Sequence, residues 1–327
     1  MAGIAKGYEV SQGKVKISIS PDCNLNCRYC SKEGTIGIGC KRTISTQDLL
    51  LLCEALFNKG YRHAYLGGGG YGEPLLAKDI HGVIKGVKDI GYEKITLVTN
   101  GVLLKKQCEK LFSLGVTGCN ISLDTLDERI YTWLCGKDLL RDVIEGIKEA
   151  SKIFHRTKVT TVLLEGINDI EMPSIMYFCS DLGVELQLND LVNLVPGDPF
   201  YEAHYKDPSY LLEELNRNSY KVEIIKRDSK HKYYMDMLTI TVRLTKAYTN
   251  IAIREDSPII RPDGKVVWLS HENIIFDMAA YRRTHRKIIK KEFFQELSES
   301  IDNRLKGITS QTLKQIAICG SFSRASW

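Results

Sequence analysis

Six short segments with the pattern of β-strands recur between residues 14 and 192, and segments with helical spacing separate them. The sequence predicts strands at 14–20, 63–70, 94–101, 118–124, 158–166 and 184–192, and helices at 43–62, 75–91, 103–115, 137–154 and 170–183. Strands that alternate with helices form a parallel sheet with the helices outside it. Six units are fewer than the eight of a closed barrel, so we predict an α/β fold built as a partial (β/α)6 TIM-like barrel.

The alternation stops near residue 193, which indicates a domain boundary. Further strands are predicted at 231–244, 251–256 and 264–270, and residues 270–327 have mostly helical patterns. We therefore expect a barrel core at 1–192 and a C-terminal α+β extension at 193–327 that contributes to substrate binding.

Composition narrows the class of protein. Apolar residues make up 43% of the 327 residues, yet no stretch reaches the roughly 18 apolar residues that a membrane helix needs. The first residues also lack the apolar segment of a secretory signal, so we expect a cytoplasmic protein with no membrane partner. The net charge of +5 is mild and does not indicate nucleic-acid binding.

Three of the ten cysteines are clustered in the stretch "SPDCNLNCRYCSKEGT". Cys23, Cys27 and Cys30 have the spacing C-x3-C-x2-C, directly after the first predicted strand. A structural zinc site needs four protein ligands, and a cubane iron–sulfur cluster normally takes four thiolates. Three thiolates leave one metal position open, which favours catalysis. The alternative is a metal-binding or iron-sensing protein with a distant fourth ligand such as Cys40 or His63.

Other polar residues follow the remaining strands. The glycine run at 67–70, Thr99, Asn100 and Ser122 each come at the end of a predicted strand. The active sites of parallel barrels lie at the carboxyl ends of the strands, so these residues are expected to share one rim with the cysteines.

The cysteine triplet, with Tyr29 before its last member, resembles the radical S-adenosylmethionine superfamily. "GYGEPLL" (70–76), "TNG" (99–101), "ISLD" (121–124) and "LLEGIND" (163–169) extend the resemblance over about residues 14–192. It implies one 4Fe–4S cluster held by the three cysteines, with S-adenosylmethionine on the open iron. Reductive cleavage of that molecule gives a 5′-deoxyadenosyl radical, which abstracts hydrogen from a small-molecule substrate. An electron donor such as a flavodoxin or ferredoxin is implied as a partner.

The resemblance also implies which residues contact S-adenosylmethionine. Glu73 would accept a hydrogen bond from the methionine ammonium, and Ser122 would contact the ribose or the carboxylate. The implied contacts are Tyr29, Gly70, Gly72, Glu73, Asn100 and Ser122.

Within the superfamily, the chain is most similar to the GTP 3′,8-cyclase family, as "SLDTLDERIYTWLCGK" and "TKVTTVLLEGINDIEM" illustrate. That family holds a second cluster with three C-terminal cysteines, but residues 247–270 contain none and Cys319 stands alone. An arginine-rich triplet is also replaced by Ile251-Ala252-Ile253. We therefore expect a relative that acts on another polar substrate, such as a sugar, nucleoside or nucleotide derivative. The implied substrate contacts are Lys16, Thr99, Lys158 and Arg254.

The reaction stays open among epimerisation, dehydration, decarboxylation and carbon–carbon bond formation. An epimerase needs a hydrogen donor, for which Cys119 on a strand and Cys135 in the loop "WLCGKD" are candidates, although a small buried filler is the simpler interpretation of each. Peptide modification, a divergent GTP cyclase and a non-catalytic metal sensor remain as alternatives.

Overall fold

The computed structural model describes residues 13–30, 43–68, 71–192, 197–225, 230–243, 257–268, 274–285 and 290–303. Within these residues the strands form one twelve-stranded sheet, in the order β12-β11-β10-β1-β2-β3-β4-β5-β6-β9-β8-β7. The strands are β1 Gly13–Ile17, β2 Tyr61–Leu66, β3 Lys94–Thr99, β4 Gly118–Ser122, β5 Thr157–Leu163, β6 Glu185–Asp190, β7 Lys221–Ile225, β8 Lys230–Tyr234, β9 Thr239–Arg243, β10 Pro258–Ile260, β11 Lys265–Trp268 and β12 Ile274–Asp277.

Helices connect the first six strands, as the alternation predicts. The helices are α1 Thr46–Asn58, α2 Ile80–Ile90, α3 Cys108–Leu114, α4 Glu128–Cys135, α5 Leu140–Ile153, α6 Met172–Asp181, α7 Pro199–His204, α8 Leu212–Asn218 and α9 Met278–Thr284, and residues 290–303 are also helical. Ser45 caps α1 by accepting a hydrogen bond from the backbone of Asp48, as expected for an N-cap serine. Helix α4 is not among the helices predicted from the sequence.

Strands β1 to β6 run parallel in chain order, which confirms the partial barrel. The C-terminal extension adds strands to both edges of the same sheet. On one edge β9 runs parallel to β6, and on the other β10 runs parallel to β1. Antiparallel strands then follow at each end, β8 and β7 beside β9, and β11 and β12 beside β10.

Two C-terminal predictions differ from the structure. The strand predicted at 231–244 is a hairpin of β8 and β9, because Met235 and Leu238 bond to each other's backbone and reverse the chain. The mostly helical prediction for 270–327 missed β12, which pairs with β11. The strand predicted at 251–256 lies outside the described residues.

The two faces of the barrel strands differ in polarity. On β1, Val15 and Ile17 are fully buried in the layer of apolar side chains that the helices cover, while Lys14 and Lys16 alternate with them on the concave side. This alternation places the apolar core between sheet and helices and leaves a polar interior for a ligand. No helix in the part of the chain that the structure describes is long and apolar enough to cross a membrane.

Candidate functional site

The three clustered cysteines lie on the loop that leaves the carboxyl end of β1. Cys23 and Cys27 are partly buried and Cys30 is exposed, and none of them forms a disulfide. The backbone of Cys30 donates to the carbonyl of Cys27 at 3.2 Å, which makes a tight turn at the end of the motif. The loop therefore presents three thiols from one short segment.

The end of α4 holds this loop in place. The backbone N–H groups of Asn26 and Arg28 donate to the carbonyls of Cys135 and Leu134, each at 2.9 Å. The Arg28 side chain donates to the carbonyl of Trp133 at 2.8 Å, and its guanidinium lies 4.6 Å from the centre of the Trp133 ring. The unsatisfied carbonyls at a helix C-terminus thus serve as acceptors for the loop.

The sequence did contain the signal for α4. Asp127 caps the helix by accepting from the backbone of Arg129 and Ile130, and Gly136 ends it in the left-handed conformation. Buried Tyr131, Leu134 and Cys135 give it an apolar face, so capping and periodicity together predict the helix.

The two candidate hydrogen-donor cysteines lie in different places. Cys135 is the last residue of α4, not part of a loop as predicted, and its thiol contacts that of Cys27. Cys119 pairs in register with Leu97 on the helix-facing side of the sheet, near Cys108, and burial raises the pKa of its thiol well above the usual value. The structure therefore brings Cys135, but not Cys119, to the cysteine loop.

The glycine loop after β2 packs directly on the cysteine loop. Gly72 has φ +49°, and a Cβ there would lie 2.2 Å from the carbonyl oxygen of Ser20 and 2.6 Å from that of Asp22. The backbone of Glu73 also donates to the carbonyl of Asp22 at 2.7 Å. Only glycine allows this approach. Gly70, the other predicted glycine contact, lies outside the described residues.

Glu73 is a buried carboxylate, with 2% of its surface exposed. One oxygen accepts from the Thr99 hydroxyl at 2.7 Å and the Leu75 backbone at 3.1 Å, and the other accepts from the Asn100 backbone at 2.8 Å. Burial raises the pKa of Glu73, and these bonds offset the effect only in part. Because these donors are all neutral, a positively charged ligand group beside Glu73 would gain a charge-assisted hydrogen bond.

Thr99 and Asn100, at the end of β3, connect Glu73 to its surroundings. The Thr99 hydroxyl donates to Glu73 and accepts from the Gly101 backbone at 3.1 Å, so it supports the carboxylate. The Asn100 amide donates to the Asn24 side chain at 2.7 Å and lies 3.7 Å from the sulfur of Cys23. Asn100 therefore contacts the cysteine loop, whereas Thr99, predicted to contact the substrate, contacts Glu73 rather than the barrel interior.

Tyr29 is anchored by Asp124, a residue that is not among the predicted site residues. Its hydroxyl donates to the carboxylate of Asp124, which also accepts from the Val162 backbone at 2.8 Å. Burial raises the pKa of Asp124 to about 6, against the effect of these hydrogen bonds. Asn168 donates to the carbonyls of Asp124 and Val162 at 2.7 and 2.8 Å. The "ISLD" and "GIND" segments thus hold the ends of β4 and β5 together, and exposed Ser122 lies beside them.

The concave face of the barrel is cationic. Strand register places His63 beside Lys94 and Lys158 beside Glu185. Glu185 is the one carboxylate among the interior-facing residues of β1 to β6. The ammonium of Lys158 lies 2.9 Å from a Glu185 oxygen and 3.3 Å from the Gln187 side-chain oxygen. The interior-facing lysines on these strands are Lys14, Lys16, Lys94 and Lys158. Arg254 lies outside the described residues.

Burial would raise the pKa of Glu185, but the nearby Lys158, a hydrogen bond from Thr241 at 2.6 Å and the charge of Lys232 outweigh it and hold the pKa below its usual value. Glu185 is therefore ionised and neutralises part of the lysine charge. On β1 to β6, therefore, four lysines and one carboxylate face the interior.

Three thiols on one loop match the donor set for a cubane cluster with an open iron. No three His, Cys, Asp or Glu side chains in the described ranges stand close enough to hold a single metal ion. The three cysteines of a cubane bind three different irons, so they need not converge on one point. The adjoining Glu73, the close glycine contact and exposed Ser122 fit a small ligand beside such a cluster.

Comparison with known proteins adds to this geometry. The family model described as the radical SAM superfamily matches residues 17–179. A probable GTP 3′,8-cyclase of Pyrococcus abyssi is 31% identical over 242 residues, 72% of this chain and 76% of the relative. A probable GTP 3′,8-cyclase of Methanothermobacter thermautotrophicus is 28% identical over 288 residues, 86% of this chain and 93% of the relative.

Solved structures share the fold. Streptococcus suis SuiB bound to precursor peptide SuiA has a TM-score of 0.58 at 16% identity, and the match covers 78% of this chain. It covers 59% of SuiB, so this chain spans less than two thirds of that protein. Native anSMEcpe with bound AdoMet and Cp18Cys peptide has a TM-score of 0.57 at 16% identity, covering 86% of this chain and 82% of that one.

Proposed function

This chain belongs to the radical SAM superfamily, and we propose that it uses S-adenosylmethionine to abstract hydrogen from a polar, anionic small molecule. Members of the superfamily use a 4Fe–4S cluster with S-adenosylmethionine. When bound, such a cluster would supply the electron for reductive cleavage of S-adenosylmethionine, and this chemistry would provide the radical that takes a hydrogen atom from the substrate.

The chain's own residues would divide the binding between them. Cys23, Cys27 and Cys30 would hold the cluster, and Glu73 would accept from the ammonium of S-adenosylmethionine. Because Thr99 and two backbone N–H groups fix the Glu73 carboxylate, it is oriented before the ligand arrives. Ser122, exposed at the next strand end, would contact the ribose or the carboxylate.

The observation that carries the substrate class is the charge of the barrel interior. Four interior-facing lysines, Lys14, Lys16, Lys94 and Lys158, stand against the single carboxylate of Glu185 on β1 to β6. An interior with an excess of one sign of charge favours a ligand with the opposite sign. A phosphorylated or carboxylated sugar, nucleoside or nucleotide meets that requirement.

GTP 3′,8-cyclisation is the second candidate, and the names of the curated relatives favour it. The chain has no cysteine between Cys179 and Cys319, so the three C-terminal thiolates of that family's second cluster are missing. This favours a different polar substrate. Peptide modification is suggested by two fold neighbours that were solved with bound peptides, and each of them is only 16% identical to this chain.

Anaerobic reconstitution tests the proposal. The protein is expected to take up about four irons per chain and to form 5′-deoxyadenosine with dithionite and S-adenosylmethionine, and Cys27→Ala should lose both. Glu73→Gln should weaken S-adenosylmethionine binding at least about tenfold, because an amide cannot pair with the ammonium charge. Glu171→Gln is the matched control, since Glu171 also accepts neutral donors, from Thr125 and the Leu126 backbone.

The substrate is then sought by stimulated 5′-deoxyadenosine formation with phosphorylated sugars, nucleotides including GTP, and peptides. Stimulation by an anionic sugar or nucleotide other than GTP supports the proposal. Cyclisation of GTP would favour the second candidate, and stimulation by peptides alone would favour peptide modification. Bound zinc in place of iron, or no cleavage of S-adenosylmethionine, would overturn the catalytic proposal. The electron donor, predicted to be a flavodoxin or ferredoxin, is replaced by dithionite in this assay.

A further inference from the structure

A buried arginine lies at the rim of the barrel, outside the residues that the sequence singled out. Arg261 follows β10 in the turn "RPDG", and only 3% of its surface is exposed. Because β10 runs parallel to β1, this turn lies at the same end of the sheet as the cysteine loop. The Arg261 guanidinium lies 5.2 Å from the ring centre of Tyr71, the residue that precedes Gly72.

Two nitrogens of this guanidinium are buried without a hydrogen-bond partner in the described residues. They are Nε and Nη2, which form one edge of the guanidinium plane. That edge carries two parallel N–H donors, the arrangement that binds two oxygens of a carboxylate or phosphate. Burying such donors without acceptors is unfavourable, so the unsatisfied edge points to a ligand.

A second residue with an unsatisfied polar atom, Ser18, occurs at the adjacent register position. Ile17, the last residue of β1, pairs with Ile260, the last residue of β10. The Ser18 backbone donates to the carbonyl of Ile260 at 2.9 Å. Ser18 and Arg261 are therefore the residues that directly follow these two paired strands. The Ser18 side chain is fully buried, and its hydroxyl has no partner among the described residues. Two buried residues with unsatisfied donors thus directly follow a pair of residues on neighbouring strands.

The contacts that Arg261 does make orient it without satisfying this edge. Nη2 lies 3.2 Å from a carboxylate oxygen of Asp263, an ion pair without the geometry of a hydrogen bond. Asp263 also lies 3.6 Å from the ammonium of Lys265, so its charge is shared. The Tyr71 ring stabilises the cation from another direction. The local charge remains positive, which suits an oxyanion.

We propose that Arg261 and Ser18 form an oxyanion subsite that binds a carboxylate or phosphate group of the substrate beside the glycine loop. This inference rests on the proposed function for the identity of the ligand, but anion binding itself can be measured without turnover. The subsite would fix one end of the substrate at the rim, next to the loop that carries Glu73. It is therefore a candidate determinant of specificity.

The test measures the thermal unfolding of reconstituted protein while inorganic phosphate or acetate replaces chloride at constant ionic strength. A ligand that binds the folded state raises the melting temperature and shows saturation. We expect saturable stabilisation by at least one of the two anions, weakened at least tenfold in Arg261→Met and in Ser18→Ala. Arg261→Lys should recover only part of it, because lysine keeps the charge but not the two-donor edge. Arg283→Met, which removes an exposed arginine on α9, should match the wild type.

The two anions and the variants give outcomes that can be told apart. A phosphate response alone assigns a phosphate subsite, and an acetate response alone assigns a carboxylate subsite. The inference would be overturned if neither anion gave a saturable response, or if wild type and Arg261→Met responded equally. If Arg261→Met does not fold, the same comparison is made between wild type and Ser18→Ala. Formation of 5′-deoxyadenosine by the wild type is measured separately, so failure of the proposed function is recognised even where the anion site is found.

Discussion

Replacing Gly72 with alanine tests whether close contact between the glycine loop and the cysteine loop builds the site. The new Cβ would lie 2.2 Å from the carbonyl oxygen of Ser20 and 2.6 Å from that of Asp22. Gly183→Ala is a matched control, because Gly183 has φ +63° and a Cβ there would meet nothing within 4 Å. The two variants share the strain of a left-handed alanine but differ in steric overlap.

The shared strain is about 1–2 kcal/mol of unfolding free energy. Ordinary contacts between carbon and carbonyl oxygen are about 3.3 Å, so Gly72→Ala must also separate the two loops by roughly 1 Å. A displacement of about 1 Å in a catalytic arrangement can reduce the rate about 100-fold. We therefore expect Gly183→Ala to lose stability alone. Gly72→Ala should also lose S-adenosylmethionine affinity and most of its 5′-deoxyadenosine formation.

Urea unfolding, iron content and 5′-deoxyadenosine formation are measured on both reconstituted variants. We expect both variants to lose a similar unfolding free energy from strain, and Gly72→Ala alone to lose additional unfolding free energy from steric overlap. If both variants keep wild-type iron content and cleavage rates, the loop contact does not build the site. An equal loss of cleavage in both would mean that general destabilisation, not local geometry, controls activity.

Thr99→Val should weaken S-adenosylmethionine binding about tenfold in equilibrium dialysis, because Glu73 loses a buried donor, and Thr99→Ser should restore it. Cys119→Ala should keep product formation, since this thiol faces the helices, and should lower the unfolding free energy by about 1 kcal/mol. Burial and three neighbouring cations lower the pKa of His63 to about 4, from 6.5. The unfolded chain therefore binds a proton that the folded chain excludes, and stability should fall as the pH drops from 6.5 to 4. The urea midpoint should show this loss, and His63→Gln should reduce it.

Each of these predictions has an opposing result. Unchanged affinity in Thr99→Val would mean that the two backbone donors suffice to hold Glu73. Loss of product with normal cleavage of S-adenosylmethionine in Cys119→Ala would restore Cys119 as a hydrogen donor. The same pH dependence in His63→Gln and the wild type would assign the titration to other groups.

The sequence predicts the parts of the site that depend on local patterns. Alternating strands and helices determine β1 to β6, and the motif spacing places the cysteines and Glu73 at neighbouring strand ends. Helix α4 has a shorter pattern than the helix that follows it, although Asp127 and Gly136 mark its ends. These capping residues are the local signal that predicts it.

Other features depend on tertiary pairing that no local pattern contains. In "RPDG", Arg261 has the sequence of an exposed turn, and it is buried only because β10 pairs with β1, more than 240 residues apart in the chain. The position of Thr99 at a strand end did not reveal which face its hydroxyl would use. The sequence also did not show which face of the sheet the Cys119 thiol would occupy, since one step along a strand moves a side chain to the opposite face.

The pairing of β9 and β10 with the barrel edges also explains how the C-terminal region can change while the cofactor site does not. The hydrogen bonds that orient Glu73 come from Thr99, Asn100 and Leu75, all within the core, and none of them involves the edge strands. Arg261 and Lys232, by contrast, enter the rim and the interior from added strands. Substitutions there would alter the charge that a substrate meets without moving the carboxylate that we propose to bind S-adenosylmethionine. A loss of C-terminal cysteines is therefore compatible with intact radical chemistry, and the substrate specificity of this chain should depend on residues of the edge strands.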